Sequence, residues 1–271
     1  MFTKKPFLLP PPLRALSMSL HRFFVPTLPS HGSVELPPGE AHHASKVLRC
    51  SQGDVVELFD GLGNQASATI HSIDKRSVLA SISAFAFAPR DHFGRLHFAI
   101  AMPKGDRQRN TIEKLVELGV DSLCPLVTTR SVAVVNEANA ERLDRYVLEA
   151  CKQCRRNRLM TIRAALPIKG IRAYADSIAS QGSPNDIAIW ILHPPMLGEK
   201  EFTIHEANAM SRASQNLLFL VGPEGGFTDQ EVTEAVQQGA NILTLGDRIQ
   251  RVETAASTAA VLGHCWLGLM N

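Results

Sequence analysis

The 271-residue sequence has no run of eighteen apolar residues, so no membrane-spanning helix is expected. Its five cysteines are odd in number and follow no disulfide-like spacing, which points to a reducing compartment. Cys151-Lys152-Gln153-Cys154 is a lone Cys-x-x-Cys inside a predicted helix, without a second Cys or His pair at zinc spacing. His42-His43 has no nearby partner of ligand type. No metal is therefore expected. The main glycine turn carries neither the Gly-Lys-Ser/Thr ending of a phosphate loop nor Gly-x-Gly-x-x-Gly, which argues against an ordinary nucleotide or dinucleotide site. There is no internal repeat. The net charge of +2 argues neither for nor against nucleic acid.

What is present is ordinary globular material, 45% hydrophobic and 20% charged, enough for one large domain or two modest ones. Residues 1–20 stand apart, with Lys4, Lys5, Arg14, three consecutive prolines and no acid. They read as a disordered extension; an organelle transit peptide and a true start at Met18 are the alternatives. From His21 to about residue 89, short apolar runs are separated by turns. His21–Pro26, Val55–Phe59, Ala66–Ile73 and Val78–Phe87 are expected strands, and Glu40–Arg49 an expected helix with Ala41, Ala44, Val47 and Leu48 on one face. That pattern suggests a small β-barrel or sandwich. Pro89-Arg90-Asp91-His92 reads as a linker.

From residue 92 to 271 the pattern becomes alternating strand and helix. Expected strands are Leu96–Met102, Leu123–Val127, Ile162–Leu166, Ile187–Leu192, Leu217–Val221 and Asn241–Leu245. Expected helices are Arg107–Leu118, Ala138–Arg156, with Leu143, Val147, Ala150 and Cys154 near helical spacing, Ile168–Ser180, one opened by the Thr228/Glu231 capping box, and a last one from about Glu253 to Leu269. The loop Gln181–Pro184 separates two of these elements. Such alternation means an α/β fold with a mostly parallel sheet covered on both faces.

Ligands of open parallel sheets bind at the carboxyl ends of the strands. Two of the expected strands end in glycine turns, Gly222-Pro223-Glu224-Gly225-Gly226 and Gly246, and charged residues including Arg248, Arg251 and Glu253 follow the second. Lys104-Gly105-Asp106-Arg107-Gln108-Arg109 opens another helix after a strand. Cations oppose the dipole at a helix start and are easier to explain if an anion neutralises them. From Arg142 to Arg163 seven basic residues face two acids, a lopsided helix that favours nucleic acid.

Taken together, these stretches resemble the RsmE family of small-subunit ribosomal RNA uridine-N3 methyltransferases, in the SPOUT superfamily. The resemblance rests on His21-Arg22-Phe23-Phe24-Val25, His42-His43 through Arg49, Lys104-Gly105-Asp106, Glu113 through Val120, Thr129-Arg130-Ser131, Glu149 through Arg156, Gly222 through Phe227, and Leu245-Gly246 through Arg248, Arg251 and Glu253-Thr254-Ala255. Gln250 stands where the family usually has leucine, and the usual proline after the basic helix is replaced near Met160.

The resemblance implies a PUA-like β-barrel for RNA binding over 21–89 and a SPOUT α/β domain with a deep trefoil knot over 92–271. It implies S-adenosylmethionine held by Leu192, His193, Val221, Gly222, Pro223, Glu224, Gly225, Gly226, Leu245, Gly246, Ile249 and Val252. Arg251 or Arg248 would stabilise charge on the uracil, with Glu253 or Glu224 as proton acceptor. Arg22, Lys104, Arg107, Arg109, Arg155 and Arg156 would grip RNA phosphates. A homodimer, a ribosomal substrate and a cytoplasmic setting are implied as well, with an organelle as the alternative if 1–20 is a transit peptide. Methylation of another RNA position, and a non-catalytic ribosome-assembly role, remain open.

Overall fold

Burial that alternates along short strands organises the first part of the chain. A computed structural model describes residues 20–74, 77–88, 96–132, 137–179, 186–194, 200–212 and 214–268. The chain divides into two compact units, residues 1–90 and 91–271. Residues 1–19, the Pro89–His92 linker and the Gln181–Pro184 loop lie outside the described residues.

The first unit is a five-stranded sheet in the order β1 (Arg22–Phe24), β3 (Val55–Phe59), β4 (Asn64–Ile73), β5 (Val78–Phe87), β2 (Ser33–Glu35). β1 runs parallel to β3 and the other pairs are antiparallel. Register shifts at Ser67/Ala68 and Ile70/Ser72 bend the two longest strands, as bulges do. The bent sheet encloses Phe23, Val56, Leu58, Ala68, Ile70, Val78 and Ala80, together with Leu36, Ala41 and Ala44. The expected helix over Glu40–Arg49 is shorter and irregular. α1 (Pro38–His42) passes into a π-turn over His43–Val47, and Arg49 takes a positive φ of 55°. The wider turn rotates the face: Ala41 and Ala44 stay buried, whereas Val47 is exposed.

The second unit is an eight-stranded sheet in which every pair is parallel. Its order is β11 (Glu201–Phe202), β13 (Ala240–Leu243), β10 (Ile187–Leu192), β12 (Asn216–Val221), β6 (Leu96–Ile100), β7 (Ser122–Val127), β8 (Thr161–Ile162), with β9 (Leu166–Pro167) also on β7. The expected strand Ile162–Leu166 is thus two short pieces. The sequence also gave no sign of β2, β11 or α5 (Ile204–Ser211), which are too short or too weakly amphipathic to stand out.

Alternate residues of the central strands feed opposite faces. Ile189, Ile191, Leu218, Leu220, Ala99 and Cys124 pack with α4 (Ile171–Ile178) and α6 (Asp229–Gln237). On the other face Phe98, Phe219, Trp190 and Trp266 form an aromatic stack, and α7 (Val252–Trp266) lies on β12, β6 and α2 (Asp106–Glu117). The last helix therefore leaves β13, one strand from the edge, and returns to the middle of the sheet. α3 (Glu137–Cys154) packs on α2 and buries Leu143, Val147, Ala150 and Cys151. Cys154, expected on that stripe, is exposed at the helix end.

Candidate functional site

Three neighbouring strands, β13, β10 and β12, end side by side, and a cavity of about 330 Å³ opens at their carboxyl ends. That volume lies in the range of small-molecule sites. Leu192, Val221, Leu243, Leu245, Ile249 and Val252 supply apolar wall, and the two glycine turns supply backbone. All twelve residues expected to hold a cofactor line it: Leu192, His193, Val221 to Gly226, Leu245, Gly246, Ile249 and Val252. Gly226 and Gly246 have φ of +70° and +97°, a conformation L side chains rarely adopt, so both turns need glycine. Ile249 is 89% exposed although it borders the cavity, an apolar side chain left for something outside this chain's own core to cover.

The polar groups around the cavity are individually placed. His193 Nδ1 donates to the Pro194 carbonyl (2.7 Å), which fixes its ring beside the wall. Glu224 pairs with Arg107 at 2.9 Å across the rim. Arg248 and Asp247 line the cavity from the second glycine turn. Arg251 and Glu253 do not line it. Arg251 is the exposed residue at the start of α7, and Glu253 lies in that helix's first turn. Among the described residues Glu253 Oε2 is buried with no hydrogen-bond partner. A buried acceptor left unpaired is costly.

Arg130 is a lining residue for which the sequence offers no local signal. It stands in Thr129-Arg130-Ser131, 95 residues before Gly225, and that separation hides the contact. Its Nη1 donates to the Gly225 carbonyl (2.6 Å), and its side chain lines the cavity. The loop that carries it is tied down. Thr129 N donates to Glu231 Oε1 (2.6 Å), while Glu231 Oε2 accepts from Thr228 N (2.9 Å) in the capping box of α6. Burial pushes the Glu231 carboxyl up, but the hydrogen bonds from Thr228 and Thr129 together outweigh it and hold the group below its ordinary range.

The basic residues do not form one surface. Lys104, Arg107 and Arg109 sit at the start of α2, at the cavity's end of the sheet. Arg107 has Glu224, and Arg109 has Glu113 (2.7 Å) and Glu149 (3.2 Å), so acids of the chain already balance part of the cluster. Two expected RNA ligands are corrected. Arg22 is 8% exposed, paired with Glu57 at 2.8 Å and stacked over Phe59 at 4.0 Å, so it is part of the first sheet. Arg156 is 4% exposed and donates to the carbonyls of Val120 (2.7 Å) and Val116 (3.3 Å). Those carbonyls lie where α2 ends and β7 begins, at the opposite end of the sheet from the cavity. Arg155, adjacent and at positive φ (64°), is at that far end too. The member of the basic run that reaches the cavity's end is Arg142, which donates to Gln108 (2.9 Å) near the start of α2.

Cys124 is inert: burial pushes its thiol up to about 12. Among the described residues no cluster of three metal-ligating side chains occurs, and no helix is long and apolar enough to cross a membrane.

Comparisons with known proteins fall on the same ground. The model of a family described as the RNA methyltransferase domain matches residues 90–262, and that of an RNA methyltransferase PUA domain matches 36–83. The ribosomal RNA small subunit methyltransferase E of Synechocystis is 28% identical over 84% of this chain and 71% of its own length. That of Rickettsia conorii is 28% identical over 92% and 98%. The crystal structure of the Neisseria gonorrhoeae protein of that name, bound to S-adenosyl methionine, superposes with a TM-score of 0.75 at 27% identity, covering 91% of this chain and 98% of that one.

Proposed function

Because the chain belongs to the RNA methyltransferase domain family, we propose that it transfers a methyl group from S-adenosylmethionine to N3 of one uridine in small-subunit ribosomal RNA. The observation that carries this is the cavity at three adjacent strand ends, walled by apolar side chains and two glycine turns with positive φ. These residues fit the cofactor. Leu192, Val221, Leu245 and Val252 suit an adenine ring, and the turns let backbone come close to it. When bound, the cofactor supplies an electrophilic methyl group on a sulfonium.

The rest of the reaction falls to side chains. Uridine N3 carries a proton at neutral pH between two carbonyls, and its removal places negative charge on those oxygens. Arg248 on the cavity wall or Arg251 beside it stabilises that charge. Glu253, with its unpartnered buried oxygen, or Glu224 on the wall accepts the proton. The base must be unpaired or flipped out to reach the cavity. Lys104, Arg107 and Arg109, at the same end of the sheet, hold flanking phosphates. A second copy of the chain covers the exposed Ile249, which makes the working unit a homodimer, and the C-terminal unit carries the trefoil knot of its superfamily. An assembled or nearly assembled small subunit in the cytoplasm is the substrate.

The test is mass spectrometry of digested ribosomal RNA, from small subunits incubated with the protein and S-adenosylmethionine. A new N3-methyluridine at one position is expected. A methyl on another atom or another base moves the reading to a different RNA methylation. No transfer together with no cofactor binding by calorimetry leaves a non-catalytic RNA-binding factor.

A further inference from the structure

The glycine turn that lines the cavity is gripped from outside its own strand. Arg130 does so twice over. Its guanidinium donates to the Gly225 carbonyl at 2.6 Å, and its stem carbons are the atoms nearest to where a Gly225 side chain would begin. A Cβ added at Gly225 would come within 3.2 Å of Arg130 Cδ and 3.5 Å of its Cβ. The arginine thus fits over this residue because it has no side chain.

The grip has a firm base. Arg130 sits between Thr129, whose N–H is held by Glu231, and Ser131, whose Oγ accepts from Thr128 N (2.9 Å) and whose N donates to the Thr128 carbonyl (3.1 Å). Glu231 in turn caps α6, the helix that follows the glycine turn. The loop after β7, the turn after β12 and the start of α6 are therefore closed into one hydrogen-bonded ring, and Arg130 is the side chain through which the ring meets the cavity. The bond from a charged donor to a peptide carbonyl is stronger than one between neutral groups. On the other side of the turn Glu224 is held by Arg107, so its charge is already matched.

We propose that Arg130 is a positioning residue for the cofactor, acting through Gly225: it holds the glycine turn in the conformation that receives S-adenosylmethionine. This rests on the reading of the cavity as a cofactor site. Arg130 is exposed and its removal opens no core, so the effect falls on binding and not on folding.

The experiment measures S-adenosylmethionine binding by calorimetry, KM and kcat for methyl transfer to small subunits, and Tm, on the full chain. Arg130→Ala is expected to weaken cofactor binding about tenfold and to raise the cofactor KM more than it lowers kcat, with Tm within about 2 °C of wild type. Arg130→Gln, which keeps an N–H donor without the charge, is expected to recover much of the loss. Gly225→Ala weakens binding in the wild type by displacing the arginine, and costs much less in the Arg130→Ala background. Wild-type affinity in Arg130→Ala overturns the proposal while leaving the cofactor site standing. So does strict additivity of the two substitutions, since then the arginine would not act through Gly225. No binding by wild-type protein overturns the cofactor reading itself, and this proposal with it.

Discussion

The two ends of the eight-stranded sheet are both polar, yet they have opposite fates. At the amino ends of the strands the polar groups pair mostly with one another, although the buried His97 Nε2 has no partner among the described residues. His97 Nδ1 meets Ser122 Oγ (2.8 Å), which meets Tyr174 Oη (2.8 Å), and Asn216 Nδ2 reaches the Asp186 carbonyl (3.3 Å). His97, Ser122, Asn216 and Asp186 are each less than 9% exposed. Burial pushes the Tyr174 phenol up to about 12, so it remains a donor at any physiological pH. At the carboxyl ends the chain instead spends glycine on open turns, leaves Arg248 and Arg251 facing outward and keeps a carboxylate oxygen of Glu253 unpaired. Polarity alone does not mark a site. A site is where polar groups stay unsatisfied by their own chain around a space large enough for something else.

The comparison can be broken by substitutions at either end. The largest effect belongs to the open end. Arg251→Ala is expected to slow methyl transfer about a hundred- to a thousandfold, the usual range for losing one donor to a developing oxyanion, with Tm unchanged. A wild-type rate with assembled small subunits ends the oxyanion role. At the closed end the expectation reverses. Ser122→Ala removes the hydroxyl between His97 and Tyr174 and is expected to cost about 1–3 kcal/mol in denaturant unfolding, with activity retained at permissive temperature. If activity falls and stability does not, the two ends are not separate in function.

A smaller effect depends on pH. Burial holds the His97 imidazole below its ordinary value of 6.5, and Arg163 acts the same way, against the opposing pull of Asp121 and the nearby Asn216 side chain. The folded state then resists a proton that the unfolded state takes up. The stability this group contributes is complete above about pH 6.5 and declines as pH falls from there toward the lower folded value. Between pH 7 and 5 the wild type should lose more of its Tm than His97→Gln does; equal slopes would place the proton uptake elsewhere. The smallest effect concerns Arg155, whose positive φ is unusual outside glycine. Arg155→Gly should raise stability by about 0.5–1 kcal/mol by relieving the backbone. RNA affinity is expected to be unchanged, because this residue lies at the closed end. A clear loss of affinity in a filter-binding titration would extend the RNA footprint along α3.

Much of this was legible in the sequence because it is local. Glycine at positions 222, 225, 226 and 246, the Thr228/Glu231 pair and the apolar runs before them specify turns, a cap and strands from neighbouring residues alone. The cavity wall was readable for that reason. Arg130 was not, since its contact with Gly225 depends on β7 and β12 being set near each other with β6 between them. Arg22 and Arg156 misled for the converse reason. A charge in the sequence looks available, and only packing reveals that Phe59 and Glu57 cover one while carbonyls of α2 and its exit consume the other.

The sequence by itself determined the α/β class of the second unit, the position of its glycine turns and the family likeness. All of these rest on residues close together along the chain, where spacing is set by covalent geometry. Tertiary structure alone decided which cations share an end with the cavity. A helix of eighteen residues spans about 27 Å. One basic run can therefore begin beside the site, at Arg142, and finish at the other end of the sheet, at Arg156.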